Sequence, residues 1–232
     1  MPSVALIGPD GAGKTTITRM LEQSSGIRFK YLYMGIDIPA SNVALPTARW
    51  VERLKSRRRD SVTSGGPGAG NARDVRTLRP RGRAGVRSVA RLGFRLADEW
   101  FRQVVSWTYQ IRGFAVLYDR HFVFDFAPEI TGRAEPLDRR IHRWCLHQLY
   151  PQPNLVIFLD APGALLFARK GESTVEELER RRQGFLQLGK RIRGFVRVDA
   201  TKPLPEVYAE VAEHISRLCN SGRGTAGTKR MQ

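Results

Sequence analysis

Val4-Ala5-Leu6-Ile7-Gly8-Pro9-Asp10-Gly11-Ala12-Gly13-Lys14-Thr15-Thr16 decides how the rest of the chain is read. Its first four residues are apolar and uncharged, as in a strand buried on both faces, and Gly8 ends the run. Gly8 to Thr15 fits G-x-x-x-x-G-K-[ST] at every fixed position, and a helical pattern over Thr15–Gln23 follows. Strand, loop and helix in that order are the context the pattern requires. Gly11, Ala12 and Gly13 are small enough for backbone N–H groups to curl around a phosphate. The start of the helix adds its positive dipole end. Lys14 is expected to reach the β- and γ-phosphates of ATP, and the Thr15 hydroxyl to coordinate Mg²⁺. Gly8 and Thr16 complete the expected ATP-binding set.

Four further apolar runs read as buried strands: Phe29–Tyr33, Phe114–Tyr118, Asn154–Leu159 and Phe195–Val198. Helical patterns fill the spaces between them, so the strands should pair in parallel through crossover helices. The fold class expected is α/β, a P-loop kinase with a five-stranded parallel sheet and helices on both faces. A long helix should run from about Ala84 to Arg112, with Val86, Val89, Gly93, Leu96, Trp100, Val104, Trp107 and Ile111 as a core stripe. Leu137–Leu149 and Pro205–Leu218 should be two more. The third strand runs into Asp119-Arg120-His121. Strand C-termini line the ligand crevice of a parallel sheet, so Asp119 is a second candidate for Mg²⁺ and Arg120 a clamp for phosphoryl oxygens.

Composition narrows the class further. Of 232 residues 41% are hydrophobic, enough for a core. Two cysteines, Cys145 and Cys219, are too few for a disulfide framework or a cysteine-based zinc site. Leu155–Phe167, the longest later apolar stretch, is interrupted by Asp160, Pro162 and Gly163 and falls short of a membrane span. With no secretory signal read at Met1–Ser3, the expected location is cytoplasmic, without a membrane partner. The net charge is +17, and Arg49–Arg95 alone holds fourteen basic residues against Glu52, Asp60 and Asp74. Within it, Arg57–Arg83 has too little apolar content to offset its ordering entropy and reads as a flexible basic insertion. The expected domain spans 1–219, and 220–232 reads as a disordered tail.

Gly8–Thr16 followed by a strand ending in Asp119-Arg120-His121 resembles the thymidylate kinase family of nucleoside-monophosphate kinases. Pro153–Pro162 is similar to that family's fourth strand, and Asp199-Ala200-Thr201 to the end of its fifth, near the adenine. The resemblance implies a helical lid over ATP and gives Asp10 a contact with the acceptor's sugar hydroxyl. It places His121 beside the acceptor. Family members carry a catalytic arginine in the phosphate loop or in the lid. Asp10-Gly11-Ala12-Gly13 has none, so the lid must supply it, with Arg169 first, Lys170 second and Arg180–Arg182 as a solvated face. Ser173 and Glu176 read as a capping box that starts the lid's second helix, through Lys190.

The acceptor half departs from the family. Met34–Asn42 holds no arginine, and Ala97-Asp98-Glu99 stands where a phosphate-binding base belongs. Arg95, or Arg91, is the substitute on the same helix, and Asp125 a weaker acceptor candidate. His142 and His147 stand five apart, the wrong spacing for a shared metal, and read as structural. Three functions stay open. One is phosphoryl transfer from ATP to dTMP or a related nucleotide. The second is transfer to another small acceptor, such as a sugar, nucleoside or metabolite. The third and least favoured is an ATP-gated nucleic-acid binder using the basic insertion, which lacks aromatic residues for base stacking. A homodimer stays open as the assembly.

Overall fold

The computed structural model describes residues 1–24, 26–35, 42–43, 81–125, 137–171 and 173–227. The strands are β1 (Ser3–Ile7), β2 (Phe29–Tyr33), β3 (Ala115–Asp119), β4 (Leu155–Asp160) and β5 (Phe195–Asp199). They form one all-parallel sheet in the order β2-β3-β1-β4-β5. Each coincides, within one residue at either end, with an apolar run of the sequence. The helices are α1 (Lys14–Ser24), α2 (Arg81–Ile111), the single turn α3 (Phe122–Asp125), α4 (Leu137–Leu149), α5 (Gly163–Lys170), α6 (Val175–Gly189) and α7 (Leu204–Gly227).

Alternate residues of each strand point to opposite faces of the sheet. Val4, Leu6, Leu117, Ile157 and Leu159 therefore pack on one face with Ile17, Leu166, Leu178, Val211 and Ile215 from α1, α5, α6 and α7. Ala5, Ile7, Val116, Tyr118, Val156 and Phe158 pack on the other, with Phe122, Leu146 and Tyr150 and the partly buried Leu96, Trp100 and Tyr109 of α2. Strands covered on both sides need apolar residues at every position, which is why they read as continuous apolar runs. No helix among the described residues is long and apolar enough to cross a membrane.

Several expectations are corrected at their edges. Helix α2 begins at Arg81, so the last three residues of the expected basic insertion belong to it, while 57–80 lie outside the described residues. Helix α7 continues to Gly227, through most of the segment expected as a tail from Asn220. Leu218 and Cys219 pack partly buried against the core, so the apolar contact that stabilises α7 reaches its middle and the helix propagates beyond it. The cap of α6 is shifted by one residue from the expected box. Thr174 accepts from the Glu177 amide at 3.2 Å, and the Ser173 hydroxyl donates to the Glu177 carboxylate at 2.6 Å.

The larger correction concerns α2, whose expected apolar stripe meets the core at Leu96 and Trp100 but turns outward at Val89, Val104, Trp107 and Ile111. Asp98, Glu99, Arg102, Gln103 and Ser106 are buried instead. Most of these buried groups are held by partners, as burial demands, although Arg102 Nε and Gln103 Oε1 have none among the described residues. Arg102 pairs with Asp98 and donates to the Gly35 carbonyl at 2.7 Å. Both Glu99 oxygens lie within 2.9 Å of His142 Nε2, and Ser106 Oγ is 2.6 Å from the Tyr118 hydroxyl. Trp100 is stacked into this layer, 5.0 Å from Tyr150 and 5.9 Å from Trp107.

His121 is part of the core, not of an open acceptor surface. Its ring is fully buried, 4.6 Å from Phe122, 5.2 Å from Tyr118 and 5.4 Å from Phe124. Burial disfavours the charged imidazolium and lowers its pKa from the ordinary 6.5 to about 3. The unfolded chain takes up this proton below pH 6.5 and the folded chain only near pH 3. Stability is therefore complete above pH 6.5 and falls with acidification, by up to about 1.4 kcal/mol per pH unit from this group. His121→Phe should flatten that part of the profile, measured by urea unfolding from pH 7 to 4. An unchanged slope would mean that the imidazole is not held neutral.

Candidate functional site

The site is built where β1 ends. β1 is hydrogen-bonded to β3 on one side and β4 on the other, so the loops leaving all three strands meet at the sheet's C-terminal edge. Gly8 and Gly11 are forced by contact as well as by conformation. At φ 152° and 86°, a Cβ on either would come within 2.8 Å of a backbone carbonyl, of Leu159 and Leu166 respectively. Gly13, at φ 89°, faces open space: nothing lies within 4 Å of its Cβ position. Two glycines are thus pressed between strand β4 and helix α5, and the third leaves a clear approach to the backbone.

Helix α1 starts directly after this opening. Its first intrahelical bond runs from the Ile17 amide to the Gly13 carbonyl at 3.0 Å. The N–H groups of Lys14, Thr15 and Thr16, ahead of it, have no helical acceptor and point toward the loop. Lys14 Nζ folds back and donates to the Gly8 and Pro9 carbonyls, at 2.8 Å each, with its side chain buried. An ammonium group beside helix-start amides that lie ahead of the intrahelical ladder is a concentrated positive site for an anion with several oxygens.

Thr15 and Asp119 are brought together from 104 residues apart. Thr15 Oγ1 donates to Asp119 Oδ2 at 3.2 Å, and the Tyr31 hydroxyl donates to the same oxygen at 3.2 Å. Asp119 is buried in register with Leu6 of β1 and Tyr33 of β2. Burial first, and then the Asp119 charge, push the Tyr31 phenol well above its usual range, so it stays a donor. Thr15 and Asp119 are hard oxygen donors of the kind Mg²⁺ takes one or two at a time, filling its remaining positions from phosphate and water. Among the described residues no three His, Cys, Asp or Glu side chains form a metal-holding group.

Asp10 is surrounded by cations. Arg120 pairs with one of its oxygens, and Arg181 lies 3.4 Å from the other. Burial pushes the Asp10 carboxyl up, but Arg120, Lys14, Lys170 and Arg181 together outweigh it and hold its pKa below the ordinary value. Arg120 adopts a left-handed conformation at φ 61°, uncommon outside glycine, while its amide donates to the Leu6 carbonyl at 3.2 Å. The backbone is bent there so that the side chain after β3 turns back over the β1 loop.

The cations of α5 and α6 are distributed differently from expectation. Arg169 points away from the loop and donates to the Ala200 carbonyl beyond β5 at 3.0 Å. Arg181 reaches Asp10 instead, braced by Glu177 at 2.7 Å. Arg182 is no solvated side chain. It pairs with the buried Asp160 at 2.5 Å and with Glu179 at 2.7 Å, while Arg197 holds the other Asp160 oxygen at 2.6 Å. That network fastens α6 to the ends of β4 and β5. A helix sends three consecutive side chains in three directions, which is why one arginine reaches the loop, one the sheet and one, Arg180, neither.

Arg95 is exposed on α2, and the arginine which that helix sends inward to the end of β2 is Arg102. The side chains of Arg91, Asp125 and His147, and Ile36–Ser41, lie outside the described residues. Arg102 and Tyr31 were not singled out by sequence, and Arg181 only as one of the Arg180–Arg182 group. Asp98 and Arg102, opposite charges four apart on a helix, are a readable signal; the Tyr31 hydrogen bond has none. A scan of protein-family models finds no match for the chain, and a comparison with curated proteins finds none either.

Proposed function

We propose that the chain is an ATP-dependent phosphotransferase of the P-loop kinase type, similar to thymidylate kinases. One observation carries this reading: Lys14 Nζ is folded onto the Gly8 and Pro9 carbonyls at the open start of α1, beside the Thr15–Asp119 pair. A buried ammonium hydrogen-bonded to two carbonyls is suited to exchanging those acceptors for phosphate oxygens. ATP, bound as its Mg²⁺ complex, supplies the γ-phosphoryl group.

The residues then divide the work. The amides from Gly13 to Thr16 hold phosphate oxygens, Lys14 neutralises their charge, and Thr15 with Asp119 holds the metal. Arg120 and Arg181 flank Asp10 and are the two cations placed to offset charge that builds during transfer. Asp10 keeps both oriented and is free, as an ionised acceptor, to take a hydrogen bond from an acceptor hydroxyl. Arg169, held at Ala200, belongs with the nucleoside end of ATP, and Lys170 with the phosphate end near Asp10.

A second reading is kept for the acceptor, because Arg102 enters the expected acceptor side already paired with the buried Asp98. A nucleoside monophosphate would meet an arginine whose charge is largely offset, next to the buried carboxylate of Glu99. That environment favours an uncharged hydroxyl compound, such as a sugar or a nucleoside, over dTMP. A panel of both classes in a phosphoryl-transfer assay separates them, and dTMP turnover within tenfold of the best hydroxyl acceptor would refute the second reading.

Lys14→Ala should leave the fold intact and cut kcat by a factor of about 10²–10³ or more. Asp119→Asn should reduce turnover strongly and raise the Mg²⁺ concentration needed for half-maximal rate. Near-normal turnover in the lysine variant, or unchanged Mg²⁺ dependence in the other, would refute the respective assignment. Arg181→Ala should lower kcat with little change in the KM for ATP, as expected of a group acting in the transition state. Arg169→Ala should mainly raise that KM. The reverse pattern would return the catalytic role to Arg169.

A further inference from the structure

Strand β2 stands at the end of the sheet, with β3 on one side and, among the described residues, no strand on the other. Side chains close that second edge. The Tyr31 amide donates to Glu22 Oε1 of α1 at 3.2 Å, and the Tyr31 carbonyl accepts from Asn42 Nδ2 at 2.9 Å. Asn42 Oδ1 in turn accepts from the Tyr33 amide at 3.0 Å. Three hydrogen bonds thus fix the backbone around Tyr31 where a neighbouring strand would otherwise do so.

From that fixed backbone the Tyr31 side chain runs toward the phosphate loop. Tyr31 is in register with Leu117, and Tyr33 with Asp119, so Tyr31 and Asp119 share one face of the sheet, two residues apart along it. That separation is roughly 7 Å of strand. A phenol spans it, whereas a serine or threonine hydroxyl at the same position would fall short. The Tyr31 hydroxyl donates to Asp119 Oδ2 at 3.2 Å, the same oxygen that accepts from Thr15 Oγ1 at 3.2 Å.

We propose that Tyr31 is a positioning residue for the metal site, pinning Asp119 through Oδ2 and leaving Oδ1 for the cation or its water. The inference rests on the phosphotransferase reading, in which Thr15 and Asp119 hold Mg²⁺. A carboxylate oxygen has two lone pairs, and on Oδ2 one is taken by Thr15 and the other by Tyr31. With a single donor the carboxylate could turn about its Cβ–Cγ bond and exchange its two oxygens. Two donors from different elements, α1 and β2, define its plane. Both are neutral hydroxyls, so the carboxylate charge is oriented without being offset, unlike that of Asp160 between two guanidinium groups. Partners of this kind tune a metal site without touching the metal. Packing alone does not account for the hydroxyl, because Tyr31 is half-buried and phenylalanine would fill the same space.

Calorimetric titration of the full-length protein with ADP, once with Mn²⁺ and once with a chelator, tests this role. Tyr31→Phe should lower the ratio of the two ADP affinities about tenfold, the usual cost of losing such an outer partner, and leave the affinity in chelator unchanged. In an Asp119→Asn background the same substitution should lower the ratio no further, since Tyr31 acts through that carboxylate. Wild-type protein that binds no ADP, or gains nothing from Mn²⁺, would overturn the phosphotransferase reading and this role with it. A wild-type gain that Tyr31→Phe fully retains would overturn the positioning role alone and leave that reading standing. So would equal losses with and without Mn²⁺, the mark of a merely structural tyrosine, or an undiminished effect in the Asp119→Asn background.

Discussion

The central place of β1 is the constraint on which the other features depend. Hydrogen-bonded along both edges and covered on both faces, it has no room for a polar side chain between Val4 and Ile7. Polar chemistry can begin only where the strand ends, and it begins at once with Gly8. The neighbours β3 and β4 are under the same restriction and release their first charged residues, Asp119 and Asp160, at the same edge. One carboxylate meets Thr15 and the other meets Arg182 and Arg197. The sheet thus sorts its residues by depth, apolar within and ionised at the rim.

That sorting explains why the two carboxylates differ in surroundings. Asp119 accepts from neutral hydroxyls, which leaves its charge available to a cation. Asp160 is enclosed by two guanidinium groups, so its charge is already offset and its work is to hold α6 in place. Breaking a buried pair of that kind costs more than forming it contributes, because the remaining charge stays desolvated.

Helix α2 is organised against the usual expectation for a surface helix. Its inward face carries Asp98, Glu99, Arg102, Gln103 and Ser106, and its outward face Val104, Trp107 and Ile111. Polar groups are tolerated inside because α4, β3 and the turn after β2 each present a matching partner: His142, Tyr118 and the Gly35 carbonyl. The network ties α2 to three elements with directional bonds where apolar packing would allow sliding. It also sets charge beside the end of β2.

By itself the sequence determined the strands, the loop and their order. Unbroken apolar runs, a glycine pattern before a lysine, and strand–helix alternation are local signals, and local signals survive in one dimension. The same holds for Lys14, Thr15 and Asp119 as a candidate set, since each stands at a fixed place relative to a strand end. Only the tertiary structure decided which arginine turns to the loop, because Arg180, Arg181 and Arg182 differ in nothing but their angle about α6. It also decided the burial of His121, which depends on rings brought in by β3 and α3, and the facing of α2. An apolar stripe at helical spacing says that one side of a helix is unlike the other. Which side meets the core is settled by partners that lie tens of residues away, and His142, Tyr118 and Gly35 carry no mark of that in their own neighbourhoods.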